Sequence, residues 1–226
     1  MNARKLIGSG FLFVAWLVTA AALLVHPVGA AHKGADLLAM ATDHRDQLIT
    51  FAALYLVSAL LFIPAMVLIS GQATGRGRVL LPIACMLVLV GAAGHAAEST
   101  MNMLLTVIAS IPGDTVAKAK VLDNSTGAVA PVLALAVIFD LALIVLAGAA
   151  WRARLTSFWP LVFVAAGAVA GNVAPPGVVF QAVALAAITV GMAWIGLGIA
   201  RSGRSAANVP TGARSVASGA SPAPTA

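Results

Sequence analysis

Apolar residues gather in six runs separated by short polar stretches: Ile7–Val25, Leu48–Ile69, Val79–Ala97, Val129–Ala150, Phe158–Ala174 and Gly177–Ala200. A helix needs about 20 mainly apolar residues to cross the hydrocarbon core, a length these runs reach or approach. The fifth is the shortest and ends at Pro175-Pro176, which reads as a tight turn into the sixth. After Ala97 the chain continues with MNMLLTVIASI, which either extends the third helix beyond the membrane or packs as an interfacial segment. From Arg201 onward Ser, Ala, Gly, Pro and Thr dominate. Such a stretch buries too little apolar surface to offset the entropy of ordering. The pattern predicts an all-α polytopic membrane helix bundle. It would have six transmembrane helices over residues 1–200 and a disordered tail over 201–226.

Composition strengthens the membrane reading. The chain is 61% hydrophobic and only 9% charged, where a soluble domain carries about 25% charged residues. It has too little polar surface to cover itself in water, so the lipid bilayer is its expected partner. Charge bias sets orientation. With the N-terminus inside, the inner side holds Arg4, Lys5, Arg76, Arg78, Arg152, Arg154, Arg201, Arg204 and Arg214. The outer side holds Lys33, Arg45, Lys118 and Lys120, together with Asp36, Asp43, Asp46, Asp114 and Asp123. Both termini are therefore expected in the cytoplasm, and the protein in the cell membrane. The basic residues lie in pairs between apolar runs, which argues against a nucleic-acid partner. Their even spread also gives no sign of the clustered cations that a phosphate site needs. Arg4-Lys5, the first apolar run and Val28-Gly29-Ala30 could form a cleaved signal peptide. However, Ile7–Val25 is longer than the usual h-region of about 7–15 residues, so a retained helix is expected. The two three-helix halves share no polar pattern, which speaks against an inverted-repeat transporter.

Two acids, Glu98 and Asp140, fall inside apolar runs. Intramembrane acids are costly and usually functional. Gly91, His95, Glu98 and Asn102 follow a 4-3-4 step and so share one helix face. That face is expected to look into the bundle, with Gly91 allowing a neighbouring helix to approach. The candidate acid–base groups are Glu98, Asp140 and His95. Their structural alternative is an interhelical hydrogen-bond clasp. Most other polar side chains also fall in the outer half: His26, Asp43, His44, Asn172 and Gln181. With Asn102 and the deeper Trp16, these are the candidate substrate-binding residues. Asp43, His44 and Asp46 also read as solvated residues at a helix start, where acids favour the N-terminal dipole. Trp151, Trp159 and Trp194 sit where interfacial anchors sit, and Gly167 and Gly171 form a GxxxG packing face.

No nucleophile elbow, Walker loop, dinucleotide fingerprint, HExxH or CxxC is present. Di-metal bundles pair a Glu-x-x-His on each of two helices with further glutamates. Here one His-x-x-Glu stands alone, and His26, His44 and Asp43 would have to complete a site. Neither a metal nor another cofactor is expected. The lone Cys85 lies in an apolar run, so no disulfide framework is expected.

The layout, with AHKGADLLAMATDHRDQLITF leading into the second helix, resembles small bacterial six-helix membrane proteins of unknown function. More loosely, the length and the intramembrane Glu98 and Asp140 are similar to the integral-membrane terpene cyclases. Those enzymes usually carry one more helix, and the aromatic content here is 6%. The second resemblance implies a membrane-embedded enzyme that protonates an isoprenoid alkene or epoxide. Glu98 or Asp140 would donate the proton, and His95 would set the donor's state or accept the final proton. Asn102, Asn172 and Gln181 would orient the polar groups of a lipophilic substrate. Two other readings use the same residues: a proton- or ion-coupled small-molecule transporter, and an accessory membrane subunit without chemistry.

Overall fold

A computed structural model describes residues 3–27, 33–72, 77–173 and 178–205, and every regular element among them is helical. The chain runs α1 (Ala3–Val25), α2 (Gly34–Asp43), α3 (Arg45–Ser70), α4 (Leu80–Ser110), α5 (Thr115–Asn124), α6 (Thr126–Arg152), α7 (Trp159–Val173) and α8 (Val178–Ser205). Five helices contain a segment long and apolar enough to cross a membrane: Ala3–Val25, Arg45–Ser70, Leu80–Ser110, Ala130–Arg152 and Val179–Ser202. The protein is therefore read as a membrane protein. Within the run Phe158–Ala174, α7 has 15 residues and spans about 22 Å, against the ~30 Å of a typical hydrocarbon core. Pro175-Pro176 and residues 206–226, where the turn and most of the disordered tail are expected, lie outside the described residues, while α8 continues through Ser205.

The long helices pack in a closed circuit, α1–α3–α4–α6–α7–α8 and back to α1. Consecutive members of each hairpin are antiparallel. Gly8 of α1 approaches Leu68 of α3, while at the other end His26 meets Phe51. Likewise Lys5 donates to Ser202 of α8, and Gln181 of α8 donates to Leu23 O of α1. One end of the bundle therefore carries Lys5, Arg78, Arg152, Arg154 and Arg201, and the other carries Asp36, Asp43, Asp46, Asp114 and Asp123 together with Lys33, Arg45, Lys118 and Lys120. Leu60, Val67, Met86, Leu141, Val169, Val183 and Leu197 are exposed on the outside of the bundle. In water such a surface would aggregate, whereas in lipid it is the required one.

Lipid supplies no hydrophobic drive between helices, so close packing and a few hydrogen bonds must hold them together. Small residues do much of this. A Cβ on Gly167 would come within 2.5 Å of Ile188 and 2.7 Å of Ala184 O, so α7 and α8 touch there through backbone. Hydroxyls tie the other pairs. Thr19 and Ser58 share a 2.5 Å hydrogen bond between α1 and α3, with both residues fully buried. Trp16 Nε1 donates to Thr189 Oγ1 at 2.8 Å, linking α1 to α8. Such bonds contribute about 0.6 kcal/mol each on average in membranes, so they set register more than they add stability.

The aspartate end carries structure that the apolar pattern does not show. With 31 residues, α4 is about 46 Å long, well beyond the ~30 Å hydrocarbon core. Of the two alternatives for MNMLLTVIASI, it is the helical extension that forms. The short helices α2 and α5 pack on each other beside it. Leu38 and Ala41 of α2 are buried there. Gly34 N donates to Asp123 Oδ1 at 2.6 Å, and the Gly34 backbone sits directly on Ala119 O. Asp114 caps α5 by accepting from Val116 N at 2.8 Å.

Candidate functional site

The site is built on α4. Gly91 faces α6 so closely that a Cβ there would lie 2.5 Å from Phe139 Cα. One turn further along the same face stands His95, and the close approach brings the Phe139 ring against it, with centroids 4.0 Å apart. On its other side His95 stacks on Tyr55 of α3 at 4.1 Å and 17°. Ser99, one turn beyond, donates to Ala52 O at 2.5 Å and locks α4 to α3 in this register. The imidazole is thus clamped between two rings and only 2% exposed. Among the described residues its Nδ1 has no hydrogen-bond partner. Leaving a buried polar group unpaired costs about 1–3 kcal/mol, so natural structures tolerate it chiefly at sites with a role.

The ring cluster extends in both directions. Phe51 lies 4.6 Å from Tyr55, and His26 meets Phe51 edge-on at 4.5 Å. Phe62 contacts Phe139 at 5.2 Å. Two carboxyl groups border the cluster. Glu98 is half-buried one turn from His95, and Asp140 is half-buried beside Phe139. Tyr55 is within electrostatic reach of both. The phenol stacked on the imidazole thus lies within electrostatic reach of two carboxyls, in apolar surroundings where such interactions are stronger than in water.

The remaining candidates divide. Asn102 Nδ2 donates to Glu98 O on its own helix at 3.0 Å. Gln181 ties α8 to Leu23 O at 3.0 Å, at the edge of the Phe51–Tyr55 group. The indole N–H of Trp16 is engaged by Thr189. Asn172 lies in the last turn of α7, and its side chain is outside the described residues. Asp43 and His44 are exposed and line a shallow polar dent formed by residues 42–47 alone. Among the described residues no three of His, Cys, Asp and Glu gather closely enough to hold a metal ion. His26, His44, His95 and Glu98 therefore do not form one ligand set.

Comparison with protein-family models, with curated proteins and with solved structures finds no match. The site must be read from its own chemistry. Sequence reasoning singled out His95, Glu98 and Asp140 but passed over Tyr55, Phe139 and Ser99. The available signal was Tyr55, the single tyrosine of the chain, set inside an apolar run.

His26 lies just outside the crossing segment of α1, and burial holds its imidazole below the ordinary value of 6.5. The folded state therefore resists protonation. As pH falls through 6.5 the unfolded chain takes up the proton first. Stability is full above that value and declines toward the lower folded one. The detergent-solubilised protein is expected to melt at a lower temperature at pH 5 than at pH 7.5, and His26→Phe should reduce that difference. An equal drop in the variant would assign the pH dependence to other groups.

Proposed function

We propose that this protein is a membrane-embedded enzyme that uses the His95 cluster for acid–base chemistry on a lipophilic substrate. Protonation-initiated isoprenoid cyclisation is its most concrete form. The observation that supports this reading is the ring-clamped His95, whose Nδ1 has no partner among the described residues, stacked on a Tyr55 that both Glu98 and Asp140 reach electrostatically. Glu98 or Asp140 gives a proton to an alkene carbon, forming a C–H bond and leaving a carbocation. A second alkene closes on the cation, and the spent carboxylate removes a proton to end the sequence, or His95 removes it and passes it back to the carboxylate, so that the acid is restored and the net change is an isomerisation. Phe51, Tyr55 and Phe139 supply aromatic rings of the kind that stabilise a cation. Burial in the bilayer excludes the water that would quench it.

The same reading places all six long helices across the cell membrane, with α7 as a short crossing and both termini in the cytoplasm. It also retains α1, which contributes Trp16 and Thr19 to the bundle and leads directly into His26. A carrier is the weaker alternative. Its pathway would have to cross the basic half of the bundle, which is filled by fully buried Leu12, Met66, Ile69, Leu81 and Leu146. The test is conversion of polyprenyl alkenes and epoxides by membranes containing the protein, followed by mass spectrometry of the extract. Glu98→Gln or Asp140→Asn should lower product formation by about 10²-fold or more, the scale of general acid catalysis. Full product from both variants at equal protein level would end the assignment.

A further inference from the structure

The basic end holds a second site, unrelated to the His95 cluster. An open groove lies between the α6–α7 connection and the last turns of α8, lined by Arg154, Thr156, Ser157, Trp194, Arg201 and Ser202. Lys5 of α1 reaches the same place, where its Nζ donates to Ser202 Oγ at 3.2 Å. Three cations far apart in sequence thus meet around three hydroxyls, and no acid lines the groove. Among the described residues Thr156 Oγ1 is buried without a hydrogen-bond partner. The connection is pressed against α8 at Gly198, where a Cβ would lie 2.5 Å from Leu155 O.

The backbone at Arg154 is a separate observation. The end of α6 is a Schellman cap: Arg154 N donates to Trp151 O at 2.9 Å and Leu155 N to Ala150 O at 3.0 Å. Arg154 occupies the left-handed position of that cap, at φ 57°, where glycine is the usual residue. A side chain kept at a strained position points to a role for that side chain. We propose that this groove binds a phosphate group. Arginine forks match phosphate oxygens in pairs, and the hydroxyls serve the oxygens that remain. Trp151, Trp159 and Trp194 are all exposed at this end, which is the depth of lipid headgroups. The phosphate is that of an anionic lipid or of a soluble ester in the adjoining water.

Arg154→Gly separates binding from folding, because glycine relieves the left-handed strain while the guanidinium is lost. The full chain, purified in mild detergent, is titrated with phosphatidylglycerol and phosphatidylcholine and read by native mass spectrometry. Inorganic phosphate is titrated in parallel, at constant ionic strength against chloride, and read by thermal shift. Wild type should hold phosphatidylglycerol over phosphatidylcholine, and Arg154→Gly combined with Arg201→Gln should weaken that by roughly thirtyfold. Arg154→Gly alone should melt no lower than wild type, and Arg45→Gln at the opposite end should bind as wild type. A saturable phosphate shift, lost in the double variant, would identify a soluble ester as the source. Selective lipid retention without that shift would identify the headgroup. Equal binding of both lipids with no phosphate shift, or undiminished binding by the double variant, would overturn the site.

Discussion

Gly91→Val is expected to abolish the native bundle, and Gly91→Ala to destabilise it measurably. A Cβ at Gly91 would lie 2.5, 2.6 and 2.8 Å from Cα, Cβ and Cδ2 of Phe139. The nearest of these is backbone, so no side-chain rotation relieves the clash, and α4 must move away from α6. Overpacking a tight interface costs about 1–3 kcal/mol, and valine adds two further methyl groups. The melting temperature in mild detergent should fall by about 2–4 °C for each kcal/mol lost in a chain of this length. Movement of α6 would also lift Phe139 off His95, so any conversion should fall further than stability does. Gly10→Ala is the control. A Cβ there meets nothing within 4 Å, and alanine favours the helix by about 1 kcal/mol. If Gly91→Ala melts like Gly10→Ala, the close approach of α4 and α6 is wrong.

The glycine shows what sequence could reveal. The 4-3-4 stripe of Gly91, His95, Glu98 and Asn102 follows from helical spacing alone, as does the expectation that it faces inward. What the stripe would meet was not legible, because Tyr55 and Phe139 lie inside apolar runs and become partners only once α3, α4 and α6 pack together. The helices α2 and α5 escaped for a different reason. Each has 10 residues, too short to hold as an isolated helix, and each forms by packing on the other beside α4. The basic groove escaped for a third. Lys5, Arg154 and Arg201 look evenly spread along the chain, and only the circuit that returns α8 to α1 brings them together. Periodicity reports which face of a helix turns inward. It does not report which two helix ends meet.

His95→Phe and His95→Leu are expected to separate stability from chemistry. If His95 were a clasp between helices, removing the imidazole would loosen the bundle and both variants would melt lower than wild type. The geometry predicts otherwise. No hydrogen bond to Nδ1 is lost, because among the described residues Nδ1 has no partner. An apolar replacement removes a desolvation cost of about 1–3 kcal/mol. Phenylalanine also keeps a ring between Tyr55 and Phe139, at the risk of crowding, while leucine avoids the crowding and gives up the stacking. At least one of the two should therefore melt at or above the wild-type temperature. Conversion of lipophilic substrate should fall by about 10²-fold or more in both, because neither side chain can carry a proton. A site that gains stability when its polar group is removed has kept that group for another purpose. If both variants melt lower and conversion survives, His95 is a clasp and the acid–base assignment fails with it.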